Sequence, residues 1–260
     1  MHLYKQGAFR IAIRRLIGIF VLLSILSCSS NSTPDRQQAV NSHPAQTTNG
    51  DSFTTETTLR LNEGIDVSKF SGRVDWPSLV KQGYSFAFTK ATEGVDLKDS
   101  AFEDNWKAMK QAGIVRGAYH FYVTEDDPRQ QAQFFIDTVK LEAGDLAPVV
   151  DVELVGHHTQ PGLADRLKVW LDLIEQHYRI RPIIYTNAKF WNKHFNKDFG
   201  DYPLWIAEYD VNSPTLPNGW TNWHFWQWRS DADLAGVEKE ADLNRINPLS
   251  LQKTELILAN

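Results

Sequence analysis

Cysteine is almost absent from this chain: there is one, Cys28, in 260 residues. A single thiol allows no intramolecular disulfide, so the core must hold without covalent staples. A basic surplus is missing too, with 27 Lys and Arg against 32 Asp and Glu and a formal charge of −5. No basic stripe is available to neutralise phosphates, which excludes nucleic acid as a partner. Long apolar runs are also lacking. The longest, Leu16 to Leu26, is interrupted by Gly18 and Ser24 and is too short to span a bilayer comfortably. No internal repeat is visible, which argues against a solenoid or propeller.

What surrounds that short apolar run is informative. Lys5, Arg10, Arg14 and Arg15 precede it with no acid among them, the pattern of an export signal over residues 1–27. Cys28 follows Ile25-Leu26-Ser27, which resembles the lipobox at which bacterial lipoprotein precursors are cut and the cysteine acylated. The expectation is an exported protein lipid-anchored through Cys28 to a cell-envelope membrane. Ser29 and Ser30, rather than Asp, after the cysteine suit the outer membrane if the cell is Gram-negative. Residues 28–58 are rich in Ser, Thr, Gln and Pro and read as a disordered linker.

Residues 59–260, about 200, suffice for one domain with a substantial core. Short β-rich runs begin at Gly64, Ser85, Val115, Ala147, Pro182, Pro203, Trp223 and Ala241. Helical stretches fit between the early ones, at 76–82, 101–112, 128–141 and 162–178, and dwindle after the fifth run. The expected fold class is α/β: an irregular TIM-like β/α barrel of about eight strands, with helices reduced or missing in the second half.

In such barrels the chemistry gathers at the carboxyl ends of the strands. Asp151-Val152-Glu153 follows the apolar run Ala147 to Val150, and alternation along a strand sends residues i and i+2 to one face. Two carboxyl groups aimed at one spot suit glycosidic bond cleavage, one donating a proton and the other stabilising charge at the sugar carbon. Asp66 ends the first run. Asp242 lies in the last, which must close against the first and so bring Asp242 near Asp66.

Taken in order, Gly-Ile-Asp-Val-Ser at 64–68, Phe-Thr-Lys-Ala-Thr-Glu-Gly at 88–94, Gly-Ala-Tyr-His-Phe at 117–121, Asp-Val-Glu at 151–153, Ile-Tyr-Thr at 184–186, Leu-Trp-Ile-Ala-Glu-Tyr at 204–209, Trp-Gln-Trp at 226–228 and Asp-Leu-Asn at 242–244 resemble glycoside hydrolase family 25. These are the Chalaropsis-type lysozymes. The resemblance implies a β/α barrel and N-acetylmuramidase activity on peptidoglycan. It makes Glu153 the general acid/base and Asp66, Asp151 and Asp242 its acidic partners. Beside it, elementary electrostatics expects Glu153 among three aspartates to favour its protonated form. Asp151 can orient the 2-acetamido group of muramic acid for a substrate-assisted, retaining reaction, and a direct carboxylate nucleophile stays open.

All nine Trp lie in this domain, and aromatic rings cover the apolar faces of sugars. Tyr119, Tyr185, Trp205, Tyr209, Trp226 and Gln227 are the candidate substrate-binding residues. Trp106 and Trp170 suit packing. His120 neighbours Tyr119 on its strand, so only one of the two faces inward. His157 and His158 raise the alternative of a metal-dependent cell-wall polysaccharide deacetylase, and a catalytically silent wall-binding lipoprotein is a second. No cofactor or metal is expected, and the chain should be monomeric.

Overall fold

The structure, a computed structural model, describes residues 62–156, 162–195, 199–249 and 256–258. The export signal, the linker, Cys28, His157 and His158 lie outside the described residues. Nine strands form one sheet: β1 (Glu63–Val67), β2 (Phe86–Glu93), β3 (Leu97–Lys98), β4 (Val115–Phe121), β5 (Val149–Asp151), β6 (Ile183–Thr186), β7 (Leu204–Ala207), β8 (Phe225–Asp233) and β9 (Glu240–Ile246). Eight of them close a barrel in the order β1-β9-β8-β7-β6-β5-β4-β2, with β2 returning to β1. The two-residue β3 folds back antiparallel on the end of β2, an extra hairpin at the rim that the expected eight runs do not include.

Crossover helices cover the first half. They are α1 (Trp76–Lys81), α2 (Phe102–Ala112), α3 (Pro128–Thr138) and α4 (Leu163–Tyr178), followed by the short α5 (Ala188–His194). Three of the five start at a side-chain cap. Asp75 and Asp127 cap α1 and α3 by accepting backbone N–H groups, with a proline in the first turn, and Asn187 caps α5 through Phe190 N at 2.9 Å. Between β7 and β8 no helix forms among the described residues, and β8 to β9 is a hairpin. β9 therefore runs antiparallel to both β8 and β1, while the remaining barrel pairs are parallel.

The barrel interior is filled by aromatic rings. Phe86, Phe88, Trp205 and Phe225 pack on one another, Phe88 stacked on Trp205 with centroids 4.3 Å apart. Glycine makes room for them: a Cβ on Gly64 would sit 2.5 Å from the Phe86 ring, and one on Gly117 2.3 Å from Phe88. At the opposite end from the strand tips, Leu146 bridges to Ile257, and Leu256 is buried there.

Candidate active site

Strand register assembles the acids. On closure Asp66 of β1 stands directly opposite Asp242 of β9, and Asp151 of β5 stands opposite Tyr185 of β6. All three aspartates are buried. A single amide links two of them, Asp66 and Asp242, to the aromatic residues. Gln227 Nε2 donates to Asp66 Oδ2 at 2.7 Å and to Asp242 Oδ2 at 3.1 Å, while its Oε1 accepts from Tyr185 OH at 2.8 Å and Tyr209 OH at 2.6 Å. With two acceptors on one side and two phenols on the other, the amide has one orientation only. Burial, followed by the nearby Tyr209, Glu153, Asp151 and Asp66, holds the Tyr185 phenol well above its ordinary range, so it remains a donor. Glu153, Asp151 and Asp66 thus gather around one ring.

Further donors complete the frame. Asn244 Nδ2 reaches Asp66 Oδ2 at 2.9 Å, and Asn244 Oδ1 is held by Trp205 Nε1 at 2.8 Å. The backbone N–H of Asp231 donates to Asp242 Oδ1 at 3.0 Å. β5 pairing ends at Asp151, so Glu153 lies two residues beyond the sheet and is part-exposed. It does not share a regular strand with Asp151, as alternation alone suggests. Its loop is pinned where it leaves the sheet, by Val152 N to Tyr185 O at 2.9 Å and Thr186 Oγ1 to Val152 O at 2.8 Å.

Of the aromatic candidates, Tyr119 faces inward beside Lys90, and His120 faces out against Trp170. Trp205 is 2% exposed and packs in the barrel against Phe88 and Tyr185, so its indole works through Asn244 rather than as an open platform. Trp226 alternates with Gln227 and lies on the outer wall. There its Nε1 donates to Glu208 O at 2.8 Å and Arg245 lies 5.9 Å from its ring. Tyr185, Tyr209 and Gln227 converge with the acids.

Sequence reasoning passed over Lys90, Glu93, Asn244 and Asp231. Lys90 is 2% exposed, pairs with Glu93 and lies 4.9 Å over the Phe121 ring. A lysine inside an apolar β run, and an amide two residues after a candidate acid on one strand, are the signals that mark Lys90 and Asn244. Among the described residues no group of three or more His, Cys, Asp and Glu is arranged to hold a metal ion. The arrangement suits proton transfer and charge stabilisation at a sugar carbon, with acids around a mouth whose walls are aromatic.

Comparison with known proteins agrees with that chemistry. The chain is 35% identical over 189 residues to the "Uncharacterized protein YegX" of Escherichia coli K12, covering 71% of this chain and 69% of that protein. It is 33% identical over 202 residues to "Lysozyme M1" of Streptomyces globisporus, covering 71% and 67%. The crystal structure of the bacterial lysozyme from Streptomyces coelicolor superposes with a TM-score of 0.68 at 31% identity, over 73% of this chain and 96% of that one. The profile described as "Glycosyl hydrolases family 25" matches residues 65–237. This chain belongs to glycosyl hydrolase family 25.

Proposed function

We propose that this peptidoglycan hydrolase is a muramidase. It cleaves the β-1,4 bond between N-acetylmuramic acid and N-acetylglucosamine with retention of configuration. The observation that carries the reading is the Gln227 amide tying Asp66 and Asp242 to the phenols of Tyr185 and Tyr209, with Asp151 beside Tyr185 and Glu153 just beyond. Glu153, the more exposed acid, donates a proton to the leaving oxygen and later removes one from water. Asp151, at the last paired position of β5, orients the 2-acetamido group, whose carbonyl oxygen attacks the anomeric carbon. Asp66 and Asp242, held rigidly by amide donors, supply negative charge facing the oxocarbenium-like transition state. No step calls on a metal.

Tethering by a lipid on Cys28 would confine the enzyme to glycan strands within reach of an envelope membrane, acting as a monomer. Support for it is the basic segment, the short apolar run and the position of the cysteine. The deciding experiment for the activity is digestion of purified peptidoglycan with mass spectrometry of the new reducing ends. Ends in N-acetylmuramic acid are expected. Ends in N-acetylglucosamine would identify a glucosaminidase instead.

A further inference from the structure

A buried polar line runs along the outer side of β4. His120 is fully buried and stacked on Trp170 of α4 with centroids 5.6 Å apart. Its Nδ1 lies 2.7 Å from Thr92 Oγ1 and its Nε2 3.1 Å from Gln131 Oε1. Gln131 is also fully buried and can be oriented in one way only. Its Oε1 accepts Val123 N–H at 2.9 Å, while Nε2 donates to Val123 O at 2.9 Å and Asp126 O at 3.3 Å. Because Oε1 is an acceptor, His120 Nε2 must carry the proton, and Nδ1 then takes the Thr92 hydroxyl. Every polar atom of the line is satisfied, as a buried network requires if it is to fix one geometry.

The line ends at the loop of the acid. Gln131 grips Val123 and Asp126, and between them lies Thr124, 1% exposed. Thr124 Oγ1 accepts the Gly156 N–H at 3.1 Å. Gly156 is three residues past Glu153, in a stretch that has already left the sheet. A Cβ there would fall 1.4 Å from Glu125 Oε1, so a larger residue would have to push the exposed Glu125 carboxylate aside. Glu153 is therefore suspended between two anchors, Val152 on the sheet and Gly156 on Thr124.

We propose that Thr124 is a positioning residue for Glu153, held in place by the Thr92–His120–Gln131 line outside the barrel. This rests on the reading of Glu153 as the acid. With the far anchor released, the carboxyl group would drift relative to the glycosidic oxygen, and a displacement of about 1 Å costs on the order of 10²-fold in rate. Sugar contacts made by the barrel residues are untouched, so the effect falls on kcat.

The test compares Thr124→Val, which keeps the shape and removes the acceptor, with Thr124→Ser, which keeps the hydroxyl. Thr124→Val is expected to lower kcat by roughly 10- to 100-fold with KM within about twofold, and Thr124→Ser to restore most of it. Combined with Glu153→Gln, Thr124→Val should add no further loss, because both act through one group. A kcat for Thr124→Val within about twofold of the parent, or losses that multiply in the double variant, would overturn the proposal. A fall in Tm that serine does not rescue, with turnover per folded molecule unchanged, would overturn it as well by assigning Thr124 to packing. Glu153→Gln alone separates the two readings: parental turnover sinks the acid assignment, whereas an inactive Glu153→Gln beside a fully active Thr124→Val sinks only the brace.

Discussion

Gln227 owes its importance to its surroundings: two carboxylates on its nitrogen and two phenols on its oxygen, from four different strands or their ends. Around it the acids divide by exposure, and mutation should separate them. Glu153→Gln should leave the circular dichroism spectrum unchanged and lower turnover by about 10²–10⁴-fold, the usual worth of general acid–base catalysis. Activity within a factor of about two would place the acid elsewhere. Asp151→Asn should lower kcat more than Asp242→Asn, since Asp242 is committed to Gln227 and Asp231 while Asp151 stands opposite Tyr185 at the last paired position of β5, next to the Glu153 loop. Steady-state kinetics showing the reverse order would make Asp242 or Asp66 the group at the reacting carbon. His120 supports a third prediction. Burial lowers its folded pKa from 6.5 to about 3. Between those values the unfolded chain binds a proton that the folded one does not, so stability from this residue is complete above 6.5 and drains away as pH falls toward 3. The slope is about 1.4 kcal/mol per pH unit. Denaturant titrations of His120→Asn between about pH 6 and pH 4 should show that slope reduced, and an unchanged slope would rule His120 out as its source.

At the scale of the element, β8 is the strand that shapes the mouth. Its pairing with β9 slips between Gln227 and Arg229 and again between Arg229 and Ala232. Such bulges bend a strand and re-aim the side chains beyond the bend. Here the bend leaves Asp231 in the left-handed region at φ 54°, with its N–H turned onto Asp242. The contact to Asp242 is made by the backbone of Asp231. Asp231→Gly keeps both the dihedral and the N–H and should retain folding and activity, whereas Asp231→Pro forbids the dihedral and deletes the donor. The proline variant should lose roughly 3 kcal/mol or more by urea titration, together with most of its turnover. Equal behaviour of the two would mean that the bulge does not hold Asp242.

For the whole molecule, closure is achieved by one antiparallel strand. β9 joins the parallel run to β1, removing the exposed edges that an open sheet would leave and setting Asp242 against Asp66. The described barrel has its own core from Ile65 to Leu256, so a protein beginning near Leu59 should fold and hydrolyse peptidoglycan without the preceding residues. Cys28→Ala in the full chain should then abolish acylation and release the enzyme from membranes without lowering its activity. Membrane fractionation and intact-mass measurement check both. Wild-type protein in the soluble fraction with an unmodified thiol would refute the anchor.

The chain's own order of residues determined its chemistry and its class of fold. Acids close apolar runs at Asp66 and Asp151 and one lies near the start of the last run at Asp242, and helical spacing between the early runs with its loss later gives a barrel of uneven coat, because alternation and helical period are properties of neighbouring residues. Adjacency also shows that Trp226 and Gln227 cannot share a face, yet which of the two looks inward was decided by closure. Tertiary structure decided the rest. Asn244 and Asp66 bond across 178 residues of sequence, and Gln227 and Asp66 across 161. Lys90 became a buried cation only when Glu93 and Phe121 came around it. The end of β5 at Asp151 and the hold of Thr124 on Gly156 likewise depend on strands and loops that meet in space. Register, burial and the aim of a hydrogen bond belong to pairs of distant segments, and a local pattern carries no record of which partner each will find.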